Sequence, residues 1–163
     1  MHSLGSKPYK DGLCEVGDNC WAWLQPDGGW GLSNAGLIAN GGEGFLIDTL
    51  FDRPSTEHML ATMRRSINGA HNICTVINTH SNGDHCNGNS CLPEATIVAS
   101  KATAEEMPQE SPAMMAALLD SAGDMGDMGE FFQHCFQRFD FANSEQRLPD
   151  RGFEGKIALP VGS

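Results

Sequence analysis

The residues best suited to chemistry lie in one polar segment, residues 79–89, with the sequence THSNGDHCNGN. Three of them, His80, Asp84 and His85, supply the imidazole nitrogens and carboxylate oxygen that zinc takes as ligands in catalytic sites, which keep one position for water. A bound metal lowers the pKa of that water and makes hydroxide available as a nucleophile. Asp84 is the residue best placed to ligate a metal and to orient the water. The polar segment therefore predicts a metal-dependent hydrolase.

Two other interpretations of the polar segment compete with this one. The positions of Asn78, His80, Asn82 and Gly83 match the first, third, fifth and sixth places of a calcium-binding EF-hand loop. The twelfth place is Asn89, which cannot give the bidentate carboxylate that calcium needs there, and a strand precedes the loop where a helix is required. The remaining alternative, a structural loop rich in Asn, Gly and Ser with incidental histidines, stays open.

The elements before the polar segment predict how it is positioned. An apolar strand at 73–78 leads directly into it, and a helix at 54–68 with one apolar face joins that strand to an earlier one at 45–49. A strand, helix and strand in this order are typical of parallel pairing, so an α/β fold is expected. Asp48, at the end of the earlier strand, either caps the following turn or supports a site at that edge of the sheet. Gly83 and Gly88 permit the positive φ values that a tightly wound ligand loop often needs.

The rest of the chain continues this alternation. A hairpin is expected around residues 17–19, a turn at 26–29, and a second antiparallel pair around 40–44. The further predicted elements are a strand at 95–99, helices at 101–107 and 111–123, a flexible connector at 124–129, a core-packed aromatic stretch at 131–139 and a final strand at 156–161.

Composition limits the classes of partner. The 163 residues suit one domain, assigned to 13–163 after a flexible segment at 1–12. A formal net charge of −11 disfavours nucleic acid and anionic membrane surfaces, so a small-molecule substrate is expected. Six cysteines without a CxxC pair, and no apolar signal region at the start, favour a reduced, cytoplasmic protein. No apolar run is long enough to span a membrane.

The sequence THSNGDH at Thr79–His85 resembles the THxHxDH signature of the metallo-β-lactamase superfamily. Flanking residues follow the superfamily's order: Leu46-Ile47-Asp48-Thr49, a helix and Val76-Ile77-Asn78 precede the signature, and Gly88-Asn89 follow it. The resemblance covers roughly residues 13–100 and implies the N-terminal portion of an αββα sandwich with the site at one edge between two sheets. It also implies one or two zinc ions and hydrolysis by a metal-bound hydroxide; iron and manganese suit the same donors.

The resemblance assigns roles to individual residues. His80 would ligate the first metal, Asp84 and His85 would ligate the second, and Asp48 would support the loop from behind the ligands. Asn82 stands where the superfamily has its second histidine, and an amide oxygen is a poorer zinc ligand than imidazole. The substrate class stays open among lactams, thioesters, lactones and phosphoesters.

The superfamily takes further ligands from its second half, and no histidine here has the required context. We therefore expect the domain to be incomplete at its C-terminus. The alternative to an enzyme is a non-catalytic fold half that assembles with another chain or with a second copy of itself, because a half-sandwich leaves apolar strand faces open.

Overall fold

A single mixed sheet of seven strands forms the centre of the computed structural model, which describes residues 10–25 and 28–162. The strands lie side by side in chain order, antiparallel from β1 to β4 and parallel from β4 to β7. Their bounds are β1 Gly12–Gly17, β2 Cys20–Leu24, β3 Ala35–Asn40, β4 Glu43–Ile47, β5 Ile73–Ile77, β6 Thr96–Ser100 and β7 Arg151–Phe153. The α/β class is confirmed. Most of the segment predicted to be flexible at 1–12, and half of the turn at 26–29, lie outside the described residues.

Five α-helices connect and flank the strands, with short 3-10 turns between several of them. Their bounds are α1 Arg53–Ser66, α2 Gly83–Cys86, α3 Lys101–Glu106, α4 Pro112–Ser121 and α5 Asp127–Phe136. No helix in residues 10–25 and 28–162 has the length and apolar composition that crossing a membrane requires. All six cysteines are free thiols.

Helix α1 packs its apolar face into the main core beside the sheet. Its N-cap is Asp52, whose Oδ1 accepts a hydrogen bond from Ser55 N at 3.0 Å. Pro54 suits the first turn because it has no backbone N–H to be left without an acceptor there. Three apolar side chains on one face, Met59, Leu60 and Met63, are at most 1% exposed in the main core. Burying each contributes about 1.5–3 kcal/mol, so packing against the sheet, rather than helix propensity alone, stabilises α1.

The connection through α1 decides where a site can form. Strand β4 runs into α1, and the chain then returns as β5, parallel to β4 with Ile47 opposite Ile77. The residues that follow these two strands, Asp48 and Asn78, therefore emerge at the same edge of the sheet. In open α/β sheets this carboxyl edge is where ligands bind.

A second apolar cluster lies beside this edge. It is centred on Phe51, whose ring makes edge contacts with Phe136, Phe139 and Phe141 at centroid distances of 4.8–5.8 Å. Edge-to-face pairs of this kind add about 0.5–1.5 kcal/mol each beyond the area they bury. The predicted packing of the aromatic stretch is thus confirmed in part, since Phe131 is 53% exposed.

Three elements differ from the sequence-based expectation. The polar segment contains a one-turn helix, α2, and is therefore not wholly a loop. The prediction of a flexible connector at 124–129 is wrong for its second half, because α5 begins at Asp127. The final strand is β7 at Arg151–Phe153; residues 156–161 form no strand, although Asn40 Nδ2 donates to the carbonyl oxygen of Val161 at 2.9 Å.

Candidate functional site

Hydrogen bonds to the backbone of His85, near its centre, attach the polar segment to the carboxyl edge of the sheet. The carbonyl oxygen of His85 accepts hydrogen bonds from Thr49 N at 3.0 Å and from Asn78 Nδ2 at 2.9 Å. Asn78 directly follows β5, and Thr49 is the second residue after the end of β4. The segment is thus positioned by the sheet rather than by its own turns.

A buried pair of amides closes the segment. Asn89 Nδ2 donates to Asn78 Oδ1 at 2.9 Å, and Asn78 Nδ2 donates back to Asn89 Oδ1 at 3.2 Å. Asn89 Nδ2 also reaches the carbonyl oxygen of Arg147 at 3.1 Å. Asn78 and Asn89 are 2% and 0% exposed. These hydrogen bonds therefore replace the bonds to water that the two amides lose when they are buried. Sequence reasoning assigned these residues no role beyond the rejected calcium loop.

Asp48 is the carboxylate behind the polar segment. It is 4% exposed and has φ of 61°, in the left-handed region that Asp and Asn tolerate better than most residues. Its Oδ1 accepts from Thr79 N at 2.7 Å. Its Oδ2 lies 2.8 Å from Thr79 Oγ1 and 2.9 Å from His85 Nδ1. Asp48 thus contacts the segment on both sides of Asn82, and its part in holding a metal stays a prediction.

The three candidate metal ligands lie close together. The rings of His80 and His85 have their centroids 4.1 Å apart, and His85 Nε2 lies 3.6 Å from Asp84 Oδ2. Two ligands at zinc distances of about 2.0–2.1 Å and near-tetrahedral angles are about 3.3–3.4 Å apart. The Asp84–His85 pair therefore fits one ion in donor type and nearly in spacing.

A complete donor set is not present in the described part of the chain. Within residues 10–25 and 28–162, no group of three or more His, Cys, Asp and Glu side chains is arranged to hold a metal ion. The structure brings the candidates to one edge but aligns only Asp84 and His85 as a pair. Asn82 is exposed at the N-cap of α2, where its side chain makes no capping bond.

The charges around His85 explain its proton affinity. Burial lowers the pKa of this imidazole, but the hydrogen bond to Asp48 and the charges of Asp48 and Asp84 outweigh that effect and raise it above 6.5. The carboxyl group of Glu110 is also affected by the charge of Asp84. Burial raises the pKa of Glu110, the charge of Asp84 raises it further, and a hydrogen bond with the backbone of Gly83 lowers it by a smaller amount. Asp84 therefore creates a negative potential at the edge of the sheet, which attracts cations.

Two contacts from other elements hold the ligand residues. The hydroxyl of Ser33, before β3, donates to the carbonyl oxygen of Asp84. The hydroxyl of Ser81 donates to Glu106 Oε2 of α3 at 2.9 Å. Neither contact was predicted, because Ser33 lies 51 residues from Asp84 and nothing local signals the pairing.

The glycines of the polar segment serve packing, and neither uses the positive φ that glycine permits. Neither Gly83 nor Gly88 is among the residues with positive φ. A Cβ on Gly83 would lie 2.6 Å from Asn87 Nδ2 and 2.8 Å from the ring of Phe51. A Cβ on Gly88 would overlap the buried side chain of Thr56. The segment needs glycine because α1 and Phe51 approach it closely.

The comparison with known families decides the identity of this fold. The family model of the metallo-beta-lactamase superfamily matches residues 28–139, more than half of the chain. The protein belongs to the metallo-beta-lactamase superfamily. Among curated proteins, no sequence matches this one significantly. The resemblance of the signature is thus confirmed at the level of the family, and members generally bind divalent metal ions.

Solved structures of metallo-beta-lactamases share the fold. The enzyme from Pontibacter korlensis has a TM-score of 0.58 at 15% identity, over 92% of this chain and 55% of its own. The one from Hirschia baltica has a TM-score of 0.51 at 20% identity, over 60% and 46%. FIM-1 from Pseudomonas aeruginosa, in its mono-zinc form, has a TM-score of 0.50 at 20% identity, over 60% and 45%. The chain spans about half the length of these structures.

Proposed function

We propose that this superfamily member is a metal-dependent hydrolase acting on a small molecule, with its metal held at the carboxyl edge of the sheet by Asp84 and His85 together with His80. The observation that carries the proposal is the 3.6 Å separation of Asp84 Oδ2 and His85 Nε2, beside a second imidazole. When bound, a divalent ion would supply Lewis acidity and lower the pKa of water toward neutrality. The donor types favour zinc, with iron and manganese as alternatives.

The residues of the chain have separate tasks in this proposal. Asp84 and His85 bind the ion, and Asp48 orients His85 through its Nδ1. Asp84 also orients the attacking water, the role for which its carboxylate is best suited. The network of Asn78 and Asn89 keeps His85 in register with β4 and β5. The proposed substrates are lactams, thioesters, lactones or phosphoesters, all of which contain an electrophilic centre that hydroxide attacks.

Metal content tests the proposal. The full chain, purified without added metal, loaded with zinc and dialysed, is expected to retain about one equivalent or more, because such sites bind stoichiometrically. Asp84→Ala should reduce zinc retention at least about tenfold. The matched control is Asp150→Asn, a carboxylate that binds Arg147 and the backbone of β6, and it should retain zinc. Less than about a tenth of an equivalent of zinc, iron or manganese in the unaltered chain would overturn the proposal.

Hydrolysis is measured on the same preparations. A zinc-loaded chain that cleaves one of the four substrate classes, with the rate lost in Asp84→Ala and kept in Asp150→Asn, supports the enzyme. Stoichiometric zinc without hydrolysis of any class would instead favour the fold half that binds metal and works only with a second chain or copy.

A further inference from the structure

The hydroxyl of Thr79 links His80 to Asp48, and Asp48 in turn contacts His85. Its Oγ1 lies 2.8 Å from Asp48 Oδ2 and 2.9 Å from His80 Nδ1. The same Asp48 Oδ2 lies 2.9 Å from His85 Nδ1. Asp48 therefore touches His85 directly and reaches His80 through Thr79.

The positions of the protons follow from what each group can donate. An ionised carboxylate only accepts, so the hydroxyl proton of Thr79 points at Asp48. A hydroxyl has one proton and two lone pairs, so Thr79 faces His80 Nδ1 with a lone pair. The short contact with His80 is a hydrogen bond only if His80 carries its proton on Nδ1. His85 Nδ1 faces Asp48 Oδ2 directly. Because that oxygen only accepts, His85 carries its proton on Nδ1 as well.

We propose that Thr79 is a positioning residue: its hydroxyl transmits the acceptor character of Asp48 to His80, so that one buried carboxylate sets the Nδ1–H tautomer of both histidines and leaves both Nε2 lone pairs free for a metal. This inference rests on the proposed function for its purpose, but the tautomers themselves belong to the metal-free protein. It assigns a task to a residue that lies behind the metal position and touches neither metal nor substrate.

The geometry of Asp48 supports this relay. The backbone of Asp48 continues the parallel ladder, since its N–H donates to the carbonyl oxygen of Ile77 at 2.9 Å. Its left-handed φ then turns the carboxylate toward the backbone and hydroxyl of Thr79, which holds Oδ1 and Oδ2 in place. Asp48 is buried, so water competes little for its carboxylate oxygens, whereas Thr79 and its contact with His80 lie at the surface.

Nitrogen NMR of the metal-free full chain tests the proposal directly. Long-range proton–nitrogen spectra identify which ring nitrogen carries the proton, at a pH where both imidazoles are neutral. We expect Nδ1–H for His80 and His85 in the unaltered chain and in Thr79→Ser, which keeps the hydroxyl. In Thr79→Val, which keeps the shape without the hydroxyl, His80 should change to the Nε2–H form that free imidazole favours in water. His85 should remain Nδ1–H there, as an internal control.

Two results would overturn the proposal: an Nε2 proton on His80 in the unaltered chain, which needs no variant to fold, or an Nδ1 proton on His80 that persists in Thr79→Val. Zinc affinity gives a second measurement. Thr79→Val should bind zinc about 10- to 100-fold more weakly, with Thr79→Ser restoring it. A chain that binds no zinc but shows the expected tautomers would contradict the proposed function while leaving the role of Thr79 intact.

Discussion

Asn78 and Asn89 exchange two amide hydrogen bonds across the base of the polar segment, 2.9 Å in one direction and 3.2 Å in the other. Such a pair satisfies both side chains at once while it ties the start of the segment to its end. Thr49 joins the pair from β4, with its hydroxyl 3.3 Å from Asn89 Oδ1. The segment that carries the candidate ligands is thus closed by neutral amides, which add no charge to the site.

Replacing Asn89 by alanine should destabilise the fold by about 2–3 kcal/mol, because it removes the donor to the buried Oδ1 of Asn78 and to the part-buried carbonyl oxygen of Arg147. Urea denaturation measures the change. The control is Asn143→Ala, whose exposed side chain bonds to Asp140, and it should cost less than about 0.5 kcal/mol. Equal losses in the two variants would show that the amide pair adds no stability.

Asp48→Asn should destabilise the metal-free protein more at low pH than at high pH. The raised pKa of His85 means that its protonated form stabilises the fold. This contribution is fully present below about pH 6.5 and is lost as the pH rises through the raised pKa. Asn removes the negative partner, so the stability difference should be largest near pH 5.5 and smaller near pH 9.5. The part that persists at high pH comes from the bonds of Asp48 Oδ2 to the Thr79 hydroxyl and to His85 Nδ1, because the amide nitrogen that replaces this oxygen cannot accept them; each is worth about 1.5–3 kcal/mol.

Urea denaturation across that pH range measures the difference, with Asp150→Asn as the matched control. Asp150 binds Arg147 and the N–H of Ile97, and no histidine is among its described partners. Its effect should therefore show no step through the titration of His85. A loss from Asp48→Asn that is the same at both ends of the pH range would contradict the role assigned to its charge.

The thiols of the polar segment and its neighbour should resist alkylation. Burial raises the pKa of Cys86 to about 12 and that of Cys91 to about 11. At about pH 8 the thiolate of Cys86 is then roughly one part in ten thousand, and thiolate is the reactive form. Cys74, exposed on β5, should be labelled by iodoacetamide first. Peptide mass spectrometry of the native protein measures this order.

Unfolding the protein in urea before labelling should make all six cysteines react alike, which controls for intrinsic differences between peptides. Labelling of native Cys86 as fast as Cys74 would mean that the polar segment opens to solvent, in conflict with its fastening to β4 and β5.

The frame of the site could be predicted because it depends on local patterns. The apolar face of α1 and the apolar runs of β4 and β5 repeat with their own periods, and a strand, helix and strand imply parallel pairing. From that alone, Asp48 is expected at the end of its strand, either as a cap of the following turn or as support for a site at that edge. The donor types of His80, Asp84 and His85 are equally visible in the sequence.

What could not be predicted depends on contacts between distant residues. The Ser33 contact with Asp84 joins residues 51 apart, and the link from Arg147 to Asn89 joins residues 58 apart. Strand β7 has only three residues and no apolar alternation, so no pattern marks it. The flexible connector predicted at 124–129 includes Gly129, which lies instead inside α5 directly against the backbone of Ala122, where any side chain would collide. A glycine required for close packing and one required for a turn look the same in a sequence.

Gly88→Ala tests that distinction inside the polar segment. The added Cβ would overlap Thr56, a fully buried residue of α1 whose hydroxyl accepts a hydrogen bond from Leu50 N at 3.2 Å. Because Thr56 cannot move without breaking that bond or shifting α1, we expect a loss of about 3 kcal/mol in the free energy of unfolding. Gly123→Ala is the control: among the described residues, no atom outside its own stretch of chain lies within 4 Å of its Cβ position, and its φ is not positive, so it should change stability by less than about 1 kcal/mol. If Gly88→Ala instead proved as harmless as Gly123→Ala, close approach of α1 could not be the reason for glycine there. The loss should also appear in zinc retention, because a displaced segment carries Asp84 and His85 away from each other.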